Sequence, residues 1–194
     1  VKARTFDGAN WSALADTTFL VNSQAAAAGN LAITEIMYHA ADPNPAEVAA
    51  GFNDSGDFEY IELTNLSTTL SADLANVRFL QGIGFDFDTA LTGRLVPPGG
   101  RVLLVRNIAA FQFRYGAGLP VAGEFSGSLD NIGERLQLVN ASGAVINDFI
   151  FADIEPWPAQ PDGLGYSLVL RRPGLDPSVP QNWRASVTAN PGTT

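Results

Sequence analysis

The chain has 194 residues, 46% of them hydrophobic and 16% charged, with 19 glycines and 12 prolines spread among short apolar runs. That make-up suits one well-cored, turn-rich β domain, or one domain with a fragment of another. Eleven basic residues against 20 acidic ones leave a formal charge of -9, which repels phosphate backbones and anionic bilayers and argues against nucleic acid and membrane as partners.

No apolar stretch approaches the roughly 20 residues that span a bilayer. The absence of cysteine removes disulfides, thiolate metal sites and a cysteine nucleophile. Residues 1–21, VKARTFDGANWSALADTTFLV, contain two short β-like runs joined by a Gly-Ala-Asn stretch. Two strands without a third are marginal in water. Because the opening residues already read as a strand inside a domain, this strand or hairpin fragment is expected to close an upstream fibronectin-like domain. Its unpaired edge is expected to dock on the main domain or on a neighbouring molecule. Residues 22–30, NSQAAAAGN, read as a small-residue linker.

From Leu31 the pattern becomes regular strand and turn. LAITEIMYH is strongly apolar, with Glu35 alternating with Ile33 and Met37. FEYIELTN alternates with Ile61 and Leu63 on one face, and GFDFDT sets Phe85 and Phe87 against Asp86 and Asp88. Two helical turns are predicted. In NPAEVAAG, Asn44 caps, Pro45 suits the first helical position, Glu47 reaches back to the cap and Gly51 ends the turn; IAAFQFRYG is the second. RLVPPGGRVLLVRN and ERLQLVNASGAVINDFIF each place a turn between apolar runs, and GYSLVL supplies a late strand. The count predicts an all-β, two-sheet sandwich.

The ordered set ITEIMYH, EYIELTN, ADLANVRF, LVPPGGRVLLV, FSGSLDNIGERLQLVNASGAVIND, PWPAQPDGLGYSLVL, NWRAS and NPGTT resembles the lamin tail domain in its bacterial form, over residues 31–194. The resemblance implies an immunoglobulin-like β-sandwich that is a module and not an enzyme, carried in large secreted or cell-surface proteins. The partners it implies are other domains or proteins. In animals the related domain also serves chromatin contacts, against which the acidic balance here argues.

Trp157 stands between two prolines ahead of an Asp162-Gly163 turn. Its first expected role is to cover one end of the sandwich, with Asp162 bonding amides of the turn. The alternative is an exposed platform for a sugar ring or a partner's proline. Tyr115, in FQFRYGAG, is the second loop aromatic of that kind. Trp157, Tyr115 and Asp162 are therefore the candidate ligand residues, with polysaccharide as the alternative partner. Asp42, Asp54, Asp57 and Glu59 fall in or beside an acidic stretch without a basic residue, and they are candidate oxygen ligands for calcium, the one cofactor considered. Their spacing does not match the twelve-residue calcium loop, and a solvated loop with a capped turn is the simpler expectation.

His39 is the single histidine, so a Ser-His-Asp set would have to pass through it. No Gly-x-Ser-x-Gly elbow or phosphate loop accompanies it, and a strand-end role is expected. Glu35 alternates with Ile33 and Met37 and Glu62 with Tyr60, so at least one carboxylate of Glu35, Glu59 and Glu62 is expected on a largely apolar face. Such a group needs an arginine or several donors, for which Arg78, Arg101 and Arg135 are the candidates. A structural, hydrogen-bonded role is its first expectation and a functional acid the alternative.

Overall fold

A computed structural model describes residues 2–16, 21–89 and 94–189. β1 (Lys2–Ala3) and β2 (Ala15–Asp16) pair antiparallel and, among the described residues, join no other sheet. Within this hairpin the Phe6 and Trp11 rings lie 4.8 Å apart, and the Arg4 guanidinium sits 4.4 Å from the centroid of Trp11. Both rings are open to solvent, at 52% and 56% exposure. The remainder of the expected fragment, residues 1 and 17–20, lies outside the described residues, as does the NPGTT stretch at 190–194.

Thereafter the strands and helices run β3 (Ser23–Ala25), β4 (Leu31–Met37), α1 (Pro45–Ala49), β5 (Tyr60–Asn65), β6 (Ser71–Asp73), β7 (Arg78–Gln81), β8 (Leu95–Val96), β9 (Arg101–Val105), α2 (Ile108–Tyr115), β10 (Val121–Glu124), β11 (Arg135–Val139), β12 (Val145–Ile150), β13 (Leu168–Leu170) and β14 (Trp183–Ala185). One layer is a six-stranded sheet in the order β10-β9-β5-β4-β13-β14; β12-β11-β7 and β3-β6-β8 form two three-stranded sheets. Ile33, Ile61, Leu63, Val102 and Leu104 of the first pack in one cluster with Ala72, Phe79, Val96, Leu136, Leu138 and Phe149 of the other two. The result is an all-β sandwich. Met37, Tyr60, Leu103 and Val105, on the outer face of the large sheet, pack with Phe58 and with Ala110 and Phe111 of α2. Its central strands are thus buried on both sides, which is why β4 reads as a nearly unbroken apolar run.

The helices follow their local signals. Asn44 Oδ1 accepts from the Ala46 and Glu47 amides, and Glu47 Oε2 accepts from the Asn44 amide at 2.8 Å, which closes the predicted capping box. Asn107 Oδ1 caps α2 by accepting from the Ala110 amide. Because β9 and β10 pair in parallel, the chain needs a crossover between them, and α2 supplies it.

Three expectations are corrected. Residues 22–30 are not a free linker: β3 pairs in parallel with β6, the Ala26 amide donates to Asp73 O, and Ala26 is buried in the core. A small-residue composition gives either a loose tether or a close-packed edge, and here the neighbouring strand decides. GFDFDT is not a continuous strand. Asp86 and Gly84 make isolated bridges and Phe87–Thr89 is a 3-10 turn; the Phe79 amide donates to Phe85 O and the Phe87 amide to Val77 O, and past this short pairing the Asp88 amide bonds to Asp86 Oδ1 and the Asn76 amide to Asp88 Oδ1. The alternation survives only as burial, since Phe85 and Phe87 both enter the core. Finally, Ile33, Glu35 and Met37 do not share a face. The β4–β5 register shifts between Ile33 and Glu35, a bulge that breaks the two-residue period. Ile33 and Ile36 point to the core, while Met37 and Glu35 belong to the outer face.

Near the bulge the two layers are tied by a side chain. β13 pairs only with Glu35 and Ile36 of β4, and Asn147 Oδ1 from β12 accepts the Ile33 amide at 2.9 Å. A buried amide left unpaired would be costly.

Candidate functional site

Trp157 is 8% exposed, with its ring centroid 6.2 Å from that of Trp183. Trp183 in turn stacks on Phe149 and donates its indole N–H to Pro177 O at 2.8 Å. Trp157 is thus largely covered within the core cluster, and its remaining surface borders a cavity of about 440 Å³ together with Pro156, Pro158, Arg171 and Trp183. Asp162 does not bond turn amides. Its Oδ1 lies 2.6 Å from His39 Nδ1, and the turn is held instead by the Gly163 amide donating to His39 O. Gly163 has φ +73°, a backbone conformation that favours glycine, and a Cβ there would stand 3.2 Å from the His39 ring, close enough that the ring would have to give by a few tenths of an ångström.

His39, just past β4, borders a polar cleft of about 310 Å³ that is also lined by Tyr38, Asp54, Gly56, Glu59 and Arg106. Glu59 is buried; it accepts from the Leu129 amide at 2.8 Å and from Arg106 Nη1 at 3.3 Å. Burial pushes its carboxyl up to about 7, against the downward pull of the Leu129 amide and Arg106. Tyr38 Oη is the buried side-chain polar atom without a partner among the described residues, and burial, then Asp162 and Asp153, hold its phenol well above the usual range. No serine hydroxyl bonds to His39 among the described residues.

Of the calcium candidates, Asp54 and Glu59 border the same cleft and share Arg106, at 4.0 and 3.3 Å, while Asp42 and Asp57 do not line it. Asp54 caps the 3-10 turn Ser55–Phe58 through the Gly56 amide, Asp57 Oδ1 accepts from Asn107 Nδ2, and Glu59 turns inward to Leu129 and Arg106 while Asp42 is exposed. Among the described residues no group of three or more His, Cys, Asp or Glu side chains is placed to hold a metal ion. Capping and inward ion pairing spread these acids over separate duties.

Tyr115 is not a loop residue but the last residue of α2, half-buried, with its hydroxyl donating to Phe58 O at 3.3 Å. It lines a second cavity, of about 450 Å³, on the outer face of the large sheet together with Tyr60, Phe111, Glu35 and Glu62. Tyr60 meets Phe111 and Tyr115 edge to face. Burial pushes the Glu62 carboxyl up; Thr34 and Arg101 draw it back and Glu35 adds to the rise.

Comparisons with protein-family models, curated proteins and solved structures return no match.

Of the three arginines named from sequence as carboxylate partners, Arg101 serves Glu62 at 3.2 Å. Arg135 instead grips Asp148 through two bonds, and Arg78 reaches the Asn76 carbonyl. The strongest buried pair has no local signal. Arg114 donates to Glu47 through Nε at 2.8 Å and Nη2 at 2.7 Å and to Ala41 O through Nη1, with its guanidinium over the Phe58 ring. Burial pushes the Glu47 carboxyl up, but Arg114 and the Asn44 amide outweigh it and leave the group below its ordinary value. Sequence periodicity flagged Glu47 as a cap and α2 as a helix; that the two meet is a property of the fold.

Proposed function

We propose that the chain is a non-catalytic contact module of a larger secreted or cell-surface bacterial protein, with an immunoglobulin-like sandwich of the lamin-tail kind, and that its partners are proteins or neighbouring domains. The observation that carries this reading is the N-terminal hairpin. It holds the exposed Phe6–Trp11 pair under Arg4 and, among the described residues, joins no sheet of the body, and exposed aromatics with an arginine are the residue types that anchor protein interfaces. The non-catalytic part is supported by how reactive groups are engaged: among the described residues His39 bonds to Asp162 and to no serine hydroxyl, and Glu47 and Glu59 are each paired with an arginine.

Trp11 provides the readout. Trp157 and Trp183 are buried and Trp11 is exposed, so contact at the hairpin shifts the red-edge emission of Trp11 to the blue. Secreted and envelope protein fractions, and a panel of soluble polysaccharides, are titrated against the whole chain and against Phe6→Ala, which removes half of the exposed aromatic pair and keeps the Trp11 reporter. A blue shift with protein that is absent in the variant is expected. A response to polysaccharide alone would move the reading to the polysaccharide-binding alternative, and turnover of an ester or glycoside would overturn the non-catalytic assignment.

A further inference from the structure

On the outer face of the large sheet, Glu35 of β4 stands directly opposite Glu62 of β5. Like charges in that cross-strand position repel. Their protein partners do little to neutralise them. Glu35 takes both of its bonds, from the Tyr60 and Ser167 hydroxyls, on Oε1, and Oε2 has no partner among the described residues. Glu62 has the Thr34 hydroxyl, a long bond of 3.5 Å from the Thr64 hydroxyl, and Arg101, whose side chain is 59% exposed, so that its attraction is screened by solvent. Arg114 also borders this cavity, but its side chain is fully buried and its charge is committed to Glu47.

The remaining wall is Tyr60, Phe111, Tyr115 and Leu119; Tyr60 and Phe111 are only 6% and 2% exposed, so its open part is the half-buried Tyr115 ring and the exposed Leu119. Carboxylates beside aromatic rings attract a weakly hydrated cation twice over, by charge and by the negative ring face. The apolar wall also accepts the methylene stem that carries such a group. A hard metal ion needs several converging oxygens, which the described residues do not provide here.

We infer that this cavity is a binding site for an organic cation, an ammonium or guanidinium group, held between the Glu35–Glu62 pair and the Tyr115 ring, with its carbon stem along Leu119. The site lies apart from the N-terminal hairpin, and the inference does not rest on the contact proposed for that element.

The test is an NMR titration of the whole chain at low salt with four probes: tetramethylammonium, N-acetyl-lysine amide, N-acetyl-arginine amide, and a short lysine-containing peptide beside its norleucine analogue. Saturable shifts of the Tyr60, Phe111 and Tyr115 ring signals are expected with the cations, with dissociation constants on the order of 1 mM. They are not expected with the norleucine peptide. Glu35→Gln, which keeps an oxygen for the Tyr60 and Ser167 hydroxyls, weakens binding by roughly fivefold or more, and Tyr115→Leu does the same by removing a wall. Circular dichroism establishes that each variant is folded, and a loss of affinity with added salt in the unaltered chain gives the same information without a substitution. A peptide that binds roughly tenfold tighter than the single amino acids identifies a protein side chain as the source of the cation; equal affinity identifies a free amine. Absence of saturable shifts with every cation, or equal shifts with the norleucine peptide, or binding unchanged in both variants, would overturn the inference. Phe6→Ala leaves cation binding intact, so the hairpin contact and this site fail separately.

Discussion

Replacing Arg114 by Met removes a guanidinium whose side chain is wholly buried and which makes three bonds, two to Glu47 and one to Ala41 O. Met fills much of the volume over Phe58 but leaves the Glu47 carboxylate buried without a counter-charge. Breaking one side of a buried pair costs about 3 to 5 kcal/mol. In a domain of this size such a loss lowers the melting temperature by roughly 10 °C. The double variant Glu47→Leu/Arg114→Met removes both charges and recovers most of the loss. It stays below the parent by about 1 kcal/mol, because the bond from the Asn44 amide to Glu47 that closes the capping box is also gone. Urea unfolding followed by the fluorescence of Trp157 and Trp183, both buried, measures all three chains. A single-variant loss under about 1 kcal/mol, or a double variant no closer to the parent than the single, would refute the claim that α1 and α2 are held together by compensated burial of charge.

Two further predictions concern other buried groups. Glu59 titrates near 7 in the fold against an ordinary value of 4.5, so folding favours its neutral form: its contribution to stability is full below about pH 4.5, declines as pH rises to about 7 and is absent above, a change on the order of 3 kcal/mol. Unfolding free energies at pH 5 and pH 8 should show this slope in the parent and a flattened one in Glu59→Gln; equal slopes would remove Glu59 as its source. Asn147→Ala leaves the Ile33 amide without its acceptor and should cost about 1 to 3 kcal/mol, with faster hydrogen exchange at Ile33; unchanged exchange there would mean the cross-layer bond does not protect that amide.

What was legible in the sequence was what depends on near neighbours. The capping box at Asn44 and Glu47 spans four residues, and the Ile61 and Leu63 face of β5 needs only a two-residue period; both stand as read. The bulge at Glu35 depends on the register with β5, about 27 residues further along, and the alternation of Phe85 and Phe87 carries no information on whether a partner strand lies alongside. Alanine composition in 22–30 could not reveal that Ser71–Asp73 would pair with β3. At the candidate sites, residue type is readable and company is not: Asp162 stands out for its turn, yet its partner is His39, just past β4 and far away in the chain. Tyr115 reads as a loop aromatic, and its placement opposite Tyr60 arises from α2 crossing over the sheet.

The attachment of β3 has a mechanical consequence. Between the hairpin and the sandwich, the described backbone is secured by the three-residue pairing of β3 with β6, flanked by the Ser71 amide on Asn22 O and the Ala26 amide on Asp73 O. Tension entering from the N-terminal side reaches this short clamp before it reaches β4, whose seven residues are paired along both flanks in part. In single-molecule stretching, β3 should give way in a small early step that lengthens the tether while the core remains folded, so that a pull on the hairpin is absorbed as slack ahead of any unfolding.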